Sequence, residues 1–334
     1  MRVLITLATA LAFTLILAGC GGSEGAASKA LVIFDTDWGP DVDDVGALAV
    51  LHALADNGEV GILGIAISFA GDNGPTSIDA VNTFYGRPDI PIATIDNSPR
   101  DPVPYRIAIA AEFPHDITAA EVEEPVSLYR RILAQQPDNS VTIISVGFLT
   151  NLAELLESDG DEHSPLLGLE LVRQKVALYA LMGGRFPEQE GGDYNLGLDQ
   201  ASSHAVLSEW PTPILFSGGE IGQEIITGTE RLRDATTAGN PVRRAFEVFN
   251  DFGGRFSWDQ TAVWAAVRGP APLWNTVDEG YFEYDPDGSY RWRATPDKDH
   301  TYLVAKAPTA TVEDVIERVM ANPPGAPLPD DLQP

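Results

Sequence analysis

The chain has 334 residues, with 21 Lys+Arg against 49 Asp+Glu and a formal charge of −28. A surface this acidic repels phosphate backbones, which excludes a DNA- or RNA-tracking protein, and it excludes a polybasic membrane-surface protein too. With 44% hydrophobic residues, the composition is that of a folded globular chain rather than a disordered one.

Residues 1–19 begin with Arg2, continue as a nearly uncharged apolar run and end in Leu17-Ala18-Gly19, directly before Cys20, the chain's single cysteine. This stretch resembles a bacterial lipoprotein signal with its lipobox. It predicts lipidation of Cys20, a flexible tether over residues 20–30, and an extracytoplasmic protein (periplasmic or cell-surface) held to the membrane only by that lipid. One cysteine allows no disulfide within the chain. A short membrane helix, or cleavage elsewhere, is the plainer alternative.

From residue 31 the pattern alternates strands and helices. Apolar runs predict strands at 31–34, 61–68, 90–94, 141–146, 176–181 and 214–216. Helical composition or periodicity marks 45–55, 76–85, 122–135, 149–156 and 200–209. Strands alternating with helices imply an α/β fold, with a mostly parallel open sheet flanked by helices on both faces. Residues 276–303 break the rhythm: aromatics surround the turn signal Asp285-Pro-Asp-Gly288, which predicts an added C-terminal β-hairpin. A last helix is expected over 311–321 with Thr311 as its N-cap, then a frayed Pro-rich tail over 323–334. No linker interrupts 31–322, which reads as one domain.

The sharpest feature follows the first strand: Asp35-Thr-Asp37-Trp-Gly-Pro-Asp41-Val-Asp43-Asp44, five carboxylates in ten residues with no cation among them. In open α/β sheets, ligands bind at the carboxyl ends of strands. Carboxylates crowded there repel, and some protonate unless a cation is bound; hard oxygen donors select Ca²⁺ or Mg²⁺. Helix capping explains one or two of the five, Asp43 or Asp44, but not all. Three other motifs fail. An EF-hand starting at Asp35 would need Glu where Gly46 stands, a haloacid-dehalogenase loop would not continue Trp38-Gly39, and a P-loop is absent.

The cluster resembles the N-terminal signature of the inosine/uridine-preferring nucleoside hydrolases, Asp-x-Asp-Pro-Gly-x-Asp-Asp before an Ala-rich helix. Trp38 replaces the usual Pro, and two extra residues precede the Asp43-Asp44 pair. The resemblance continues in order through Asn82–Pro91, Val146-Gly-Phe-Leu-Thr150-Asn151, Met182-Gly-Gly184, Asp193-Tyr-Asn195 and Ser257-Trp258-Asp259. It implies a Rossmann-like nucleoside hydrolase fold and Ca²⁺ held by Asp37, Asp44, Asp259 and the backbone carbonyl of Thr150. It also implies Asp37 as general base toward water. Asp43, Asn73 (or Asp72), Met182, Asp193 and Asn195 would meet the substrate.

Several of these residues have plainer readings. Asp259 suits a helix N-cap, Thr150-Asn151 a helix start, and Met182 the core. Asp193 stands where Glu is usual and reaches one methylene less. His204 and His115 read as structural. Trp258 stands where the family has a His that protonates the leaving base; an indole cannot do that, though it can stack on a base, which leaves Tyr194 or a solvent proton as the candidates for activating the leaving group.

The expected activity is calcium-dependent hydrolysis of the N-glycosidic bond of ribonucleosides for salvage. The alternatives are a non-catalytic calcium and ribose binding lipoprotein, or a hydrolase of another ribosyl compound. The expected partner is a small-molecule nucleoside rather than a polymer, and a homo-oligomer is compatible with the family.

Overall fold

The computed structural model describes residues 29–69, 71, 73–95, 102–118, 120–187, 192–295 and 298–334. The leader, Cys20 and Asp72 lie outside the described residues.

The chain runs β1 (Ala30–Thr36), α1 (Asp43–Asp56), β2 (Val60–Ile67), α2 (Gly74–Phe84), β3 (Ile92–Thr94), α3 (Pro104–Glu112), α4 (Pro125–Gln135) and β4 (Val141–Ser145). It continues with α5 (Thr150–Glu157), α6 (Gly168–Lys175), β5 (Val176–Met182), α7 (Tyr194–Leu198), α8 (Gln200–Glu209), β6 (Ile214–Ser217) and α9 (Gly219–Gly222). Then come β7 (Ile226–Thr229), α10 (Glu230–Ala235), α11 (Pro241–Asn250), β8 (Gly253–Phe256) and α12 (Trp258–Arg268). The chain closes with β9 (Trp274–Val277), β10 (Tyr281–Tyr284), β11 (Tyr290–Arg293), β12 (His300–Ala305) and α13 (Thr309–Met320).

Eight strands form the main sheet in the order β3-β2-β1-β4-β5-β6-β12-β9, all parallel except the edge pair β12–β9. The expected α/β architecture is present. The order departs in both directions from β1, which pairs with β2 on one side and β4 on the other. That switch point opens a crevice at the carboxyl ends of β1 and β4, where ligands bind in such sheets.

Alternation along β1 assigns its faces. Val32 and Phe34 pack with α1 and α12, whereas Ile33 packs with α4 and α5. Helix α1 is buried along its whole length, which is why its sequence is apolar all round rather than striped. Beyond the aspartates of its first turn, its buried polar residue is His52, which bonds the Asn82 side chain at 2.9 Å, and burial holds its imidazole down at about 3.

The added hairpin is β10–β11, while its flanking strands β9 and β12 join the main sheet. The last helix begins at Thr309 after Pro308, not at Thr311, because proline suits a helix entry. The Pro-rich tail does not fray. Leu328 and Leu332 are buried in the core, and Arg318 pairs with Asp331 at 2.7 Å. Helices α3, α6, α10 and α11 and the β7–β8 ribbon were not anticipated; they are short or sit between the apolar runs that dominate the pattern.

Candidate active site

The five clustered aspartates separate in space. Asp35, on the β1 face toward α4 and α5, accepts from the Tyr129 hydroxyl at 2.8 Å and Asn151 Nδ2 at 2.9 Å. Burial raises its carboxyl to about 7. Asp41 pairs with Arg255, which approaches from β8. Of the five, only Asp35 leaves the cleft, and it buttresses the sheet instead; Asp41 stays on the cleft lining and takes a guanidinium partner 214 residues away.

Asp37, Asp43 and Asp44 remain, and α12 brings Asp259 to them. Asp43 and Asp44 occupy the first turn of α1, and Asp259 the first turn of α12. One carboxylate oxygen from each of Asp43, Asp44 and Asp259 lies within 4.8 Å of the others, and all three residues are buried. Asp44 accepts from the Thr36 hydroxyl and from the backbone N–H groups of Trp38 at 3.1 Å and Gly39 at 3.3 Å. Burial first, then neighbouring carboxylates, pushes Asp37, Asp43 and Asp259 well above the usual range, and Asp44 to about 6. Buried like charges with only oxygen donors are what a divalent hard cation neutralises, so the residues present fit such an ion.

The loop carrying Asp37 is fixed from three sides. Trp38 is fully buried with a left-handed φ of 46°, and its indole N–H donates to Ser77 at 2.8 Å. On α3, the Tyr105 hydroxyl donates to the Gly39 carbonyl at 2.8 Å, and Arg106 donates to the carbonyls of Asp37 and Trp38. At residue 147 only glycine fits, because a Cβ there would come 2.3 Å from the Asp37 nitrogen.

Asp37, Asp43, Asp44 and Asp259 line a cleft of about 480 Å³ together with Val146, Met182, Asp193, Tyr194, Asn195 and Trp258. Asn195 Nδ2 donates to the carbonyls of Val146 at 3.1 Å and Met182 at 3.2 Å, tying the ends of β4 and β5 together. Asp193 caps α7 through Leu196 N–H at 2.9 Å and also accepts from Gly184 N–H at 2.9 Å. Burial raises its carboxyl to about 6. The Trp258 indole N–H donates to the Gly219 carbonyl at 2.9 Å.

Two predicted residues do not line this cleft. Thr150 opens α5, and its hydroxyl donates to Asp199 at 2.6 Å. Asn73 precedes α2, and its carbonyl accepts from Ser77. Conversely, Arg185, Arg255 and Phe249 line the cleft without having been anticipated. No local sequence pattern marks Arg255, on β8, or Phe249, at the end of α11. Nothing local in the sequence links Arg106 to residue 37, 69 positions away.

The model of the family described as "Inosine-uridine preferring nucleoside hydrolase" matches residues 32–287. Over 320 residues the chain is 26% identical to the pyrimidine-specific ribonucleoside hydrolase RihA of Escherichia coli (strain SMS-3-5 / SECEC), covering 86% of this chain and 94% of that one. Its fold is similar to a purine-preferring ribonucleoside hydrolase from Gardnerella vaginalis, with TM-score 0.64, 19% identity, and coverage of 87% of this chain and 98% of that chain. It is also similar to an inosine-uridine preferring nucleoside hydrolase from Bacillus anthracis, with TM-score 0.64, 18% identity, and coverage of 87% and 99%.

Proposed function

This chain belongs to the inosine-uridine preferring nucleoside hydrolase family, and from that premise we propose that it cleaves ribonucleosides with a bound Ca²⁺, giving ribose and free base for salvage. The observation that carries the reading is the convergence of Asp37 with the buried Asp43, Asp44 and Asp259 on one cleft.

Asp37, Asp44 and Asp259 would hold the ion, with the Thr150 carbonyl as a further ligand on the strength of the family resemblance alone. When bound, a calcium ion supplies positive charge that acidifies a neighbouring water and fixes vicinal hydroxyls. Asp37 takes the proton of the attacking water as the C–N bond loosens. The surrounding carboxylates stabilise the positive charge that develops on the sugar. Asp43 accepts from a ribose hydroxyl. Asp193 already receives two backbone N–H bonds, which hold its carboxylate rigid for a sugar contact. Asn195 is tied to the ends of β4 and β5 through its amide, and Met182 bounds the sugar pocket, whereas a sugar contact from Asn73 rests on the family resemblance alone. Trp258 stacks on the base.

Lipid attachment at Cys20, an extracytoplasmic location and homo-oligomer formation belong to the same proposal and rest on the sequence and the family resemblance. Among the described residues no helix is long and apolar enough to cross a membrane. Release of the protein from the membrane fraction by Cys20→Ala would support the anchor.

The activity is tested by incubating the protein with a panel of ribonucleosides, with and without a calcium chelator, and measuring free ribose. Release that the chelator abolishes and calcium restores supports the reading. Binding without release would overturn it in favour of a non-catalytic ribose binder, and release only from other ribosyl compounds would reassign the substrate.

A further inference from the structure

Heterolysis of a glycosidic C–N bond leaves an electron pair on the base nitrogen. That developing anion must be protonated or held by positive charge. None of the chain's five histidines lines the cleft. His52 is bonded to Asn82, His115 to the Ala110 carbonyl and His204 to the Tyr284 carbonyl; His300 accepts from the Phe282 N–H, and His163 is an exposed residue between α5 and α6.

What the cleft offers beyond its carboxylates is cationic and aromatic. The Arg255 guanidinium lies 5.0 Å from the Trp258 ring centre and 5.9 Å from that of Phe249, and all three residues line the cleft. Its bonds to Asp41 run through Nε and Nη2, leaving Nη1 without a hydrogen-bond partner among the described residues. Asp41 thus orients the guanidinium without using up its donors. The wall is rigid: a Cβ on Gly222 would come 2.3 Å from the Trp258 Cα, so α9 and the start of α12 are in close contact. The floor aspartates are buried, whereas Arg255, Phe249 and Trp258 are half-buried and form the outer part of the cleft. If the sugar of a riboside reached the floor carboxylates, its base would lie in the outer part of the cleft, where this wall stands.

We infer that Arg255 holds the departing base as an anion, which makes the favoured substrates those ribosides whose base is a comparatively strong N–H acid. This rests on the hydrolase reading above. The C1′–N bond breaks with its electron pair going to the base nitrogen, and water oxygen bonds C1′ while Asp37 takes the water proton. The base leaves as an anion paired with Arg255. After release it takes a proton from solvent, and Asp37 returns its own, so the sum is riboside plus water giving ribose plus neutral base. A guanidinium gives up no proton at neutral pH, so its contribution is charge and hydrogen bonding rather than acid catalysis.

The test compares wild type, Arg255→Met and Arg255→Lys, each loaded with calcium, on uridine and on p-nitrophenyl β-ribofuranoside, whose phenolate leaves unaided. Loss of one preorganised charge-stabilising donor should lower kcat/KM on uridine by roughly 100-fold in Arg255→Met. The p-nitrophenyl riboside should lose only a few-fold, and Arg255→Lys should recover part of the uridine rate. Equal losses on both substrates, or no loss on uridine, would overturn the inference. If Arg255→Met does not fold, the substrate-dependent split in Arg255→Lys decides in the same way. Absence of ribose release by the wild type on both substrates would instead overturn the hydrolase reading itself.

Discussion

Arg106 Nη2, on α3, donates to the backbone carbonyl of Asp37 at 2.8 Å, across 69 residues of sequence. Its Nε also donates to the neighbouring Trp38 carbonyl, and Tyr105 bonds the same carbonyl at 3.0 Å. A loop two residues longer than the family pattern, with a left-handed tryptophan inside it, is thereby held still under the proposed general base.

Arg106→Met should therefore destabilise the fold. Two buried carbonyls lose a charged donor, and Asp37 and Asp44 lose a nearby positive charge. The expected loss is about 3 kcal/mol of unfolding free energy, read from urea denaturation. A loss below about 1 kcal/mol would show that Tyr105 alone suffices to hold the loop.

Asp37→Asn tests the base. If Asp37 takes the water proton, kcat on a good nucleoside should fall between about 10²- and 10⁴-fold. The same change removes one charge from a repelling group, so the metal-free protein should melt no lower than wild type at neutral pH. A kcat within about tenfold of wild type would assign the proton to another group.

How far the sequence carried this reading differs by residue. Asp43 and Asp44 were legible because their crowding at a strand end is unusual in itself. Asp259 was legible only through the family resemblance, since a single Asp opening a helix is ordinary capping. The separation of Asp35 from the cluster, and the pairing of Asp41 with Arg255, were not legible. They depend on Tyr129 and Asn151 arriving on one sheet face, and on Arg255 arriving from a ribbon that the apolar pattern did not reveal. The parallel sheet was legible because its strands are buried runs; α10 was not, being a six-residue piece with one buried side chain, and α11 was not, because its apolar residues Val242, Ala245 and Phe246 are interleaved with Arg243, Arg244 and Glu247 and form no run.

Metal and pH should act in opposite directions on stability. Burial lifts Asp44 to about 6 and Asp35 to about 7 in the fold, against the ordinary 3.8 of an exposed aspartate. The metal-free folded state thus binds more protons than the unfolded chain between those values. Its stability is fully present below about pH 4 as far as these groups are concerned, and falls as pH rises toward about 7. With chelator present, the melting temperature should be several degrees higher near about pH 5 than near about pH 8. A cation needs the carboxylates ionised, so added calcium should raise the melting temperature more at the higher pH. Calcium stabilisation that is equal at both values would disconnect the ion from these carboxylates.

The C-terminal segment secures the far end of the helix that carries Asp43 and Asp44. The Gly325 N–H donates to Asp56 at 2.8 Å, and the Leu328 N–H donates to Asn57 at 3.2 Å, both at the end of α1. Arg268, at the end of α12, donates to the Leu332 carbonyl at 2.6 Å, so the tail joins the two helices that carry the buried aspartates of the proposed cation site. Leu332 is 5% exposed and sits in the core. Leu332→Ala should cost about 2–3 kcal/mol in urea denaturation, at the lower end of core truncations because Leu332 sits on a single short turn, Asp330–Leu332, that can relax. At temperatures well below melting, kcat should stay unchanged, because α1 and α12 still pack on each other. A large fall in kcat without loss of stability would mean instead that the tail sets the spacing of Asp44 and Asp259.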